Sequence, residues 1–538
     1  MTVLVVGAGP TGLTVACTLL RFGVPCRIVD RRPEGAGEPK ALVLWSGALE
    51  ALRRTGVAAP IVGAALPLAG AGYFSRGKRL GGVRFGGLKG TAFPGPICLP
   101  QPATEEALRD RLTALGGKIE WNTALTDLAT TPTGVTAVLT NAAGTVETVS
   151  TPWLVGADGT RSTVREQLGI DYAGHTYERT FLLADGRLSG PASPDEAEYH
   201  LHPDGVLVVV PLPGGGHRVF FDVAPGIATE SAPSREVLQH LLDVRGRGDI
   251  RIEETWWTSR FRVHAKLAER FREGRVFLAG DAAHCHSPAG GQGLNTGVQD
   301  GYDLGWKLAT VLRGADESLL DSYEAERRPA SARAVRLADR QTRLWMTRGA
   351  IPRTLRDTVM RVLFRRGVLE RTMVPELAQL DIDHPAGAGA SDPAGTTVTA
   401  PAAVRLARRM PDAPIADPLG VTGSLHDRLA EGRHTLLAAG GERARDTAAL
   451  AVRLLAERGV EDAVDVIWLR PEDGHHPGGR PGMTVLGDTG GALASGQTAW
   501  LAHVRPDGVV GARAAADEAS LRTLLNRLPA ARAQVPAA

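Results

Sequence analysis

The stretch from Gly274 to Leu308 reads GRVFLAGDAAHCHSPAGGQGLNTGVQDGYDLGWKL, and the rest of the chain is organised around it. A short apolar run ends at Gly280-Asp281, and a loop rich in glycine leads into apolar residues at helical spacing. This pattern predicts a buried strand, a carboxylate at its end, and a helix start with bare backbone N–H groups. Because a helix N-terminus carries about half a positive charge, the corner suits an electron-rich or anionic group.

The loop of this corner contains four residues with special backbone properties, namely Pro288, Gly290, Gly291 and Gly293. The plain alternative is an ordinary strand–loop–helix connection. Such a connection has no need of so many glycines and a proline, so the loop favours a ligand-binding turn.

The N-terminus carries a second strand–turn–helix unit. Residues Val3–Val6 form an apolar run that enters the pattern GxGxxG, a helical stretch follows, and a second apolar run ends at Asp30. In such a unit Gly7 makes the turn, Gly9 allows a pyrophosphate to approach the backbone, and Gly12 lets helix and strand pack closely. The acid about 20 residues further on can accept hydrogen bonds from ribose hydroxyls. The complete unit favours a dinucleotide-binding fold over a plain βαβ turn.

A third strand end occurs between these two. The run from Trp153 to Gly159 ends in an acid and a glycine, and Arg161 and Ser162 open the helix expected after it. A capping aspartate at a helix start is the structural alternative for Asp158.

The remaining segments alternate between sheet and helix. We expect a helix over Ala41–Gly56, antiparallel sheet over Gly70–Pro100, a β-meander over Glu120–Val149, and a second β-rich region over Asp171–Phe261. Further on we expect helices over Asp321–Leu377, a linker over Ala386–Pro401, and a small α/β domain beyond it.

Composition excludes several classes of protein. The 538 residues carry a formal net charge of +2, which gives no sign of a nucleic-acid surface. No apolar run approaches the roughly 20 residues of a membrane helix, and no secretory signal is evident. The four cysteines are scattered and form no CxxC pair. We therefore expect a cytoplasmic protein with reduced thiols, and neither a nucleic-acid nor a membrane partner.

The three strand ends, in this order, make the chain resemble the single-component FAD-dependent aromatic hydroxylases, the class A flavoprotein monooxygenases. It is most similar to their phenol and polyketide hydroxylase subgroup, which carries a C-terminal thioredoxin-like domain. The resemblance rests on residues 7–12, 101, 156–162, 280–295 and 323–329. It covers residues 1–375 closely and residues 400–538 more loosely.

The resemblance implies an α/β architecture of several domains. A Rossmann-type FAD-binding domain would comprise residues 1–70, 101–170 and 266–330, and a β-sheet substrate domain residues 71–100 and 171–265. Residues 331–385 would be a helical linker, and residues 400–538 a thioredoxin-like domain. Because this last part has no cysteine, thiol exchange is excluded and a structural or dimer-supporting role is expected.

The resemblance also implies FAD, not NAD, as the bound dinucleotide. The glycines of the first fingerprint would line the pyrophosphate, Gln101 would touch the ribityl chain, and the turn at Pro288 would lie against the isoalloxazine ring. Asp158 and Arg161 belong to a fingerprint tied to both FAD and nicotinamide nucleotide binding. The full set of implied cofactor-binding residues is Gly7, Gly9, Pro10, Thr11, Gly12, Asp30, Arg31, Lys40, Gln101, Asp158, Arg161, Gly280, Asp281, Pro288, Gly291, Gly293, Leu294 and Asn295.

Three positions depart from the family pattern. Lys40 stands where arginine is frequent, Ser46-Gly47 replaces a common Arg-Thr, and Asp303 stands where asparagine is usual. A lysine keeps the charge but loses the bidentate fork of arginine.

The implied reaction uses NAD(P)H and O2 to hydroxylate a phenolic or polyketide-type aromatic compound through a flavin C4a-hydroperoxide. Such a site must exclude water. Tyr199, His202 and Arg218 are weak candidates for substrate contact or catalysis, and each is also readable as a structural residue of the sheet. His284 is expected to be a core or loop-holding histidine, and no residue spacing suggests a metal.

Several alternatives remain open. The same fold supports Baeyer–Villiger oxygenation of a polyketide ring, and a flavin-loaded binding protein without turnover is the alternative from another class. A halogenase is disfavoured because Trp256-Trp257 is not followed by the WxWxIP pattern. A plain dehydrogenase is disfavoured because no second nicotinamide-binding unit is present. The expected partner is a small aromatic substrate, and the chain would be a monomer or homodimer.

Overall fold

A computed structural model of the chain describes residues 2–35, 40–224, 232–385, 390–393, 400–471, 481–494, 498–526 and 528. The helices of these residues are α1 (Pro10–Arg21), α2 (Ser46–Thr55), α3 (Ala58–Ala64), α4 (Gln101–Ala114), α5 (Thr163–Gln167), α6 (Arg235–Arg245), α7 (Gln292–Leu312), α8 (Asp321–Trp345), α9 (Ala350–Arg365), α10 (Val368–Ala378), α11 (Leu425–Leu429), α12 (Glu442–Glu457) and α13 (Glu518–Leu525). None of them is long and apolar enough to cross a bilayer.

The strands of the N-terminal part are β1 (Val3–Val6), β2 (Cys26–Val29), β3 (Val43–Leu44), β4 (Leu66–Pro67), β5 (Gly70–Ser75), β6 (Lys78–Arg84), β7 (Ile97–Cys98), β8 (Ile119–Glu120), β9 (Thr123–Thr130), β10 (Val135–Asn141), β11 (Val146–Thr151) and β12 (Leu154–Gly156). The middle part contains β13 (Tyr172–Ser189), β14 (Glu196–His202), β15 (Gly205–Pro211), β16 (His217–Val223), β17 (Arg251–Ala268), β18 (Arg272–Glu273), β19 (Val276–Leu278) and β20 (His284–Cys285). The C-terminal part contains β21 (Pro414–Ala416), β22 (Thr422–Ser424), β23 (His434–Ala439), β24 (Val464–Pro471), β25 (Met483–Asp488), β26 (Trp500–Val504) and β27 (Val510–Ala515).

The first sheet brings the three strand ends together. Its order is β18-β19-β12-β1-β2-β8, and β1, β2, β12 and β19 run parallel. Val155 lies opposite Val5 on one side and Phe277 on the other. Since parallel strands end at the same edge, the turns after β1, β12 and β19 share one crevice, which is the usual ligand position in such sheets. The predicted Rossmann-type architecture is confirmed.

Helices α1 and α7 lie against each other because α7 has glycine at every fourth position of the contact. Gly297, Gly301 and Gly305 face α1, where an added Cβ would come within 2.5 to 2.7 Å of atoms of Thr11 and Thr18. This spacing puts the three glycines on one helix face. The close contact fixes α7, and therefore its N-terminal turn, relative to the glycine turn at the start of α1.

The helix expected over Ala41–Gly56 is shorter than predicted. Helix α2 begins at Ser46 and ends at Thr55, and its C-cap Gly56 has the left-handed φ of 90°. Residues Val43–Leu44 instead form a strand that pairs with β7. A short continuous apolar run is compatible with a buried strand, and hydrogen bonds with Asn295 of α7 hold residues 43–45 extended. Local helical spacing therefore did not decide the structure of this segment.

The second large sheet has the order β20-β17-β13-β16-β15-β14-β5-β6. Its first face packs under α8, α9 and α10 through an aromatic-rich cluster, and its second face packs against α6. The predicted β-rich region is therefore present, but it also contains α6, whose Leu238 and Leu242 are buried one turn apart. Strands β9 to β11 form the predicted β-meander as a separate sheet.

The C-terminal sheet has the order β22-β21-β25-β24-β23-β26-β27. Strands β23, β24 and β25 are parallel, β26 and β27 are antiparallel to their neighbours, and α12 and α13 accompany them. The α/β character expected beyond the linker is therefore present, and the thioredoxin-like assignment remains a prediction. Most of the linker predicted over Ala386–Pro401 lies outside the described residues.

Buried charges join this domain to the FAD-binding part. Arg505 donates to both oxygens of Glu326 at 2.7 and 2.8 Å, and Lys307 donates to Glu326 at 2.9 Å and to Asp303 at 2.8 Å. Carboxylate oxygens of Asp303, Glu326 and Asp507 lie within 4.8 Å of one another, a spacing that could also hold a metal ion. Since Lys307 and Arg505 already provide the cations, the cluster is explained as an ion-pair network between domains.

A histidine pair at the same boundary gives a testable pH dependence. Buried His434 contacts His503 at 2.9 Å and Thr310 at 3.3 Å, and burial followed by the repulsion from His503 lowers its pKa well below the ordinary value. Below about pH 6.5, His434 therefore takes up a proton in the unfolded chain but not in the folded protein. The free energy of unfolding is highest above this pH and decreases as the pH drops. We expect His434→Gln to remove about 1.4 kcal/mol per pH unit of this dependence.

Urea unfolding at pH 7.5 and pH 5.5 measures the effect. His240→Gln on α6 is the control, because it makes the same substitution at an exposed position away from the buried pair. Equal dependence in His434→Gln and wild type would contradict the assignment.

Candidate active site

The glycine turn after β1 has the geometry that a dinucleotide needs. Gly7 has a left-handed φ of 105°, and a Cβ there would collide with the carbonyl oxygen of Ala157. A Cβ at Gly12 would collide with the carbonyl oxygen of Gly7, so this glycine lets α1 pack on β1. A Cβ at Gly9 would meet nothing within 4 Å. Gly9 therefore faces open space, as the approach of a pyrophosphate requires.

Asp30 closes the side of this turn. Its Oδ2 accepts from the backbone N–H of Ala8 at 2.7 Å, and Arg32 donates to both carboxylate oxygens at 3.0 and 2.8 Å. Burial raises the pKa of Asp30, but the hydrogen bonds from Arg32 and Ala8 outweigh it and hold the pKa below its ordinary value. The carboxylate is thus ionised, and its implied contact with a ribose remains a prediction. Arg31 beside it is exposed.

The turn after β19 meets α1 at the side chain of Thr11. Gly280 has a φ of 60°, and a Cβ there would contact the Thr11 hydroxyl. The side chain of Asp281 is exposed to solvent at the bottom of a recess. Desolvation by the surrounding protein raises the pKa of its carboxyl group, and this effect outweighs the charges of His284 and Lys40, which lower the pKa. Asp281 therefore presents a carboxyl group to the crevice.

A buried triad supports this turn from behind. Asp300 accepts from His284 Nε2 at 2.5 Å, from Arg327 Nε at 2.8 Å and from the backbone N–H of Gly280 at 3.2 Å. Burial raises the pKa of Asp300, but the charges of His284 and Arg327 overcome it and lower the pKa overall. His284 is a loop-holding histidine, as predicted. Asp300 and Arg327 were not singled out from the sequence, although both lie on the helices that the motif predicts.

The glycine-rich loop ends at the start of α7. Gly290 and Gly291 have left-handed φ values of 74° and 63°, which side chains rarely adopt. Helix α7 begins at Gln292 with neither a side-chain cap nor an acidic residue in its first turn. Its first N–H groups therefore have no intrahelical partner and carry the positive end of the helix dipole. Pro288 is exposed at the edge of this loop, and Gly293 and Leu294 follow in the first turn.

Two side chains hold segment 40–45 beside the start of α7. Asn295 donates to the carbonyl of Val43 at 2.7 Å and accepts from the N–H of Trp45 at 2.6 Å. Gln101 accepts from the N–H of Ala41 at 3.1 Å. The sequence implied cofactor contact for Asn295 and Gln101, and the structure shows that both also fix the segment that starts at Lys40.

The second fingerprint adjoins the first. Asp158 accepts from the Ser162 hydroxyl at 2.6 Å and from the N–H of Val164 at 3.2 Å, while Ser162 caps α5. Asp158 therefore supports the first turn of α5, and its implied part in nucleotide binding remains a prediction. Arg161 beside it is exposed. Arg165 donates to the carbonyl of Ala282 at 3.0 Å and links this segment to the Gly280 turn. Its role depends on this contact, which no local pattern indicates.

The candidate substrate residues occupy different places. Tyr199 stacks on Tyr73 at 4.9 Å between ring centroids and lies 5.1 Å from the ring of Trp345, under α8. Burial raises the pKa of Tyr199 to about 12, so its hydroxyl stays protonated at neutral pH. His202 lies at the end of β14, beside Asp204 in the hairpin turn. Tyr73 was missed because its role depends on contact with Tyr199, which is distant in sequence.

Arg218 is fully engaged within the protein. Its guanidinium binds both oxygens of Asp185 at 2.6 and 2.8 Å and donates to the carbonyl of Lys40 at 2.8 Å. It therefore ties the sheet to the segment beside the crevice, which makes it a positioning residue more than a free catalytic group.

Comparison with known proteins agrees with this geometry. The sequence profile of the family described as FAD binding domain matches residues 1–338. The chain is 41% identical to the 6-methylpretetramide 4-monooxygenase of Streptomyces rimosus over 356 residues, which is 65% of this chain and 63% of that protein. It is 32% identical to the pentachlorophenol 4-monooxygenase of Sphingobium chlorophenolicum over 535 residues, which is 96% of this chain and 95% of that protein.

Among solved structures, the flavin-dependent monooxygenase PieE in complex with FAD and substrate superposes with a TM-score of 0.80. That match has 25% identity and covers 98% of each chain. The match includes the C-terminal domain as well as the FAD-binding part. The chain therefore belongs to the FAD binding domain family, as an FAD-dependent monooxygenase of the aromatic hydroxylase kind that its three strand-end motifs predicted.

Proposed function

We propose that the protein uses NAD(P)H and O2 to hydroxylate a phenolic or polyketide-type aromatic compound. The observation that carries the proposal is the meeting of the turns at Gly7, Ala157 and Gly280 in one crevice beside an aromatic-lined sheet. The relatives named above act on a pretetramide and on pentachlorophenol, which are both aromatic compounds.

The residues of the crevice fit FAD. The open face of Gly9 leaves room for a pyrophosphate, Asp30 and Asp281 offer carboxyl groups to hydroxyls, and the start of α7 offers N–H groups to an electron-rich ring edge. When bound, FAD supplies hydride acceptance from NAD(P)H and the activation of O2 for transfer to a carbon of the substrate.

The role of the chain is to place the substrate and exclude water. Phe181, Phe220 and Phe261 pack between the sheet and the helices above it, and they make this region apolar. Tyr199 and Tyr73 add two hydroxyl groups at the far side of the same cluster. A substrate with a flat apolar body and a phenolic hydroxyl matches these walls.

A substrate screen tests the proposal. Purified protein should be yellow with FAD, and phenols or polyketide aromatics should stimulate NAD(P)H consumption and yield a product heavier by one oxygen atom. Baeyer–Villiger oxygenation adds the same mass but inserts oxygen into a ring, so the position of oxygen in the product separates the two reactions. A protein that binds FAD and aromatics but shows no stimulated NAD(P)H oxidation would be a binding protein, and the proposal would be wrong.

The thiols of the chain suit a reducing compartment, in line with a cytoplasmic enzyme. The four cysteines Cys17, Cys26, Cys98 and Cys285 are free. Burial raises the pKa of the first three to about 12 and that of Cys285 to about 11, so they stay protonated and unreactive.

A basic patch beside the crevice favours NADPH as the electron donor. Arg262, His264 and Lys266 alternate along β17 on the side away from the buried Val263, and Arg161 lies close to them. Burial lowers the pKa of His264, and the charges of Lys266, Arg262 and Arg161 lower it further, which shows that the four groups are near one another. The three cations of this group, Arg161, Arg262 and Lys266, suit the additional phosphate of NADPH.

We expect Arg262→Gln to raise the KM for NADPH roughly fivefold to tenfold and to change the KM for NADH less. Reduction of the flavin by dithionite should be unchanged, because it needs no nucleotide. Arg453→Gln, which removes an exposed charge from α12, is the matched control. Equal changes for the two nucleotides would rule out a phosphate contact at Arg262.

A further inference from the structure

Helix α9 exposes a stripe of apolar side chains. Ile351, Leu355, Val359 and Val362 are 83%, 64%, 46% and 43% exposed, respectively. Their spacing of four, four and three residues places them on one face of the helix. A helix of a water-soluble protein normally turns such a stripe toward the core.

The exposed stripe is not the face by which α9 packs on the protein, because the opposite face of the helix makes that contact. Met360 is buried, and the ring of Phe364 lies 5.2 Å from that of Tyr73. Asp357 accepts from Ser75 at 2.6 Å on β5 and from Arg356 at 2.8 Å. These contacts fix the rotation of the helix and keep the stripe outward.

The surroundings of the stripe are strongly basic. Arg348, Arg361, Arg365 and Arg366 are exposed along and beside α9. Between residues 343 and 369 the sequence contains a single acidic residue, Asp357, which is buried and paired. An occupant of this face must therefore be apolar along a narrow line and anionic beside it.

We propose that the outer face of α9 docks on an anionic lipid surface. The four aliphatic side chains enter the boundary between headgroups and acyl chains, and the arginines bind lipid phosphates. This combination of an apolar stripe and basic flanks is typical of helices that lie in a membrane interface. Each basic residue near an anionic surface adds to the attraction.

The charge pattern disfavours a second copy of the chain as the occupant, because two copies would bring their arginines together. The proposal also differs from the sequence-based expectation of no membrane partner, which considered only segments long enough to span a bilayer. A docked helix lies on the membrane and does not cross it.

The position of α9 connects lipid docking with the supply of substrate, and this connection rests on the proposed function. The helix packs on β6 and touches Tyr73, which belongs to the aromatic cluster of the sheet. Apolar aromatic substrates partition into lipid, so docking would bring this cluster close to their source. The lipid binding itself can be tested without turnover.

The test is co-sedimentation of the full-length FAD-loaded protein with vesicles of equal parts phosphatidylglycerol and phosphatidylcholine at low salt. We expect binding that is absent with pure phosphatidylcholine and lost at high salt. The double variants I351Q/L355Q and R361Q/R365Q should each lower vesicle affinity roughly tenfold. L419Q/V421Q is the matched control, because it removes two aliphatic residues that are 90% and 63% exposed in the C-terminal domain.

The outcomes are distinct. Unchanged FAD content and melting temperature in all variants, with loss of binding only in the α9 variants, supports the proposal. No binding of the wild type at low salt, or equal binding by I351Q/L355Q and the control, overturns it. A wild-type dimer that I351Q/L355Q converts to a monomer also overturns it, in favour of a contact between copies. Loss of lipid binding with normal turnover would leave the proposed enzyme activity intact.

Discussion

Gly9→Val is expected to give a folded protein that cannot bind FAD. The backbone of Gly9 has φ −79° and ψ −179°, an extended conformation open to any residue, and a Cβ there meets no atom within 4 Å. The substitution therefore leaves the packing of the apoprotein intact. The isopropyl group would, however, fill the space in which the pyrophosphate must approach the backbone.

The expected loss of FAD affinity is at least about 100-fold, which corresponds to about 2.7 kcal/mol. Measurements are the flavin absorbance of the purified protein, titration of the apoprotein with FAD, and thermal unfolding of the apoprotein. Gly12→Val is the contrasting variant, because its side chain would collide with the backbone of Gly7 and should lower the stability of the apoprotein itself. Recovery of Gly9→Val with a full complement of FAD would show that the crevice is not the cofactor site.

Asp300→Ala is expected to destabilise the protein and to weaken FAD binding. Asp300 and Arg327 are buried, and removal of the carboxylate leaves the guanidinium without its partner. Breaking one side of a buried ion pair costs about 3–5 kcal/mol. The N–H of Gly280 also loses its acceptor, so the turn that carries Asp281 becomes less well held.

Denaturant unfolding of the apoprotein and FAD titration measure the two effects separately. Asp321→Ala on α8 is the matched control, since its carboxylate is 68% exposed and pairs with Arg272 at the surface. Such a pair contributes about 0–1 kcal/mol. If Asp300→Ala were no more destabilising than Asp321→Ala, the buried triad would have no structural role.

Much of the cofactor site was predictable because its residues are close together in sequence. GxGxxG, Asp158-Gly159 and Gly280-Asp281 each combine a strand end with a turn, and a local pattern of apolar residues and glycines is enough to identify such a unit. The roles assigned to Gly7, Gly9 and Gly12 agree with the space found around each of them. The roles of all the implied residues in binding the cofactor remain predictions.

The substrate side was far less predictable. Tyr73 and Tyr199 lie on neighbouring parallel strands but are separated by more than a hundred residues, so no local pattern joins them. Arg218 was a candidate for substrate contact because it lies on the predicted sheet. Its pairing with Asp185 and the carbonyl of Lys40 was not predicted, because both partners are remote in sequence. The start of α2 was misplaced for the same reason, since Asn295 of α7 holds residues 43–45 extended.

The sequence by itself determined the type of fold, the FAD fingerprint and the three turns at the strand ends. It could do so because strand ends, turns and helix starts are set by neighbouring residues. Only the tertiary structure decided which charged groups are paired, which tyrosines stack, and which apolar stripe of α9 stays in contact with solvent. These properties depend on pairing between distant strands and on the faces that packing leaves open. The sequence gives the type of each side chain, but the tertiary fold determines which other groups it contacts.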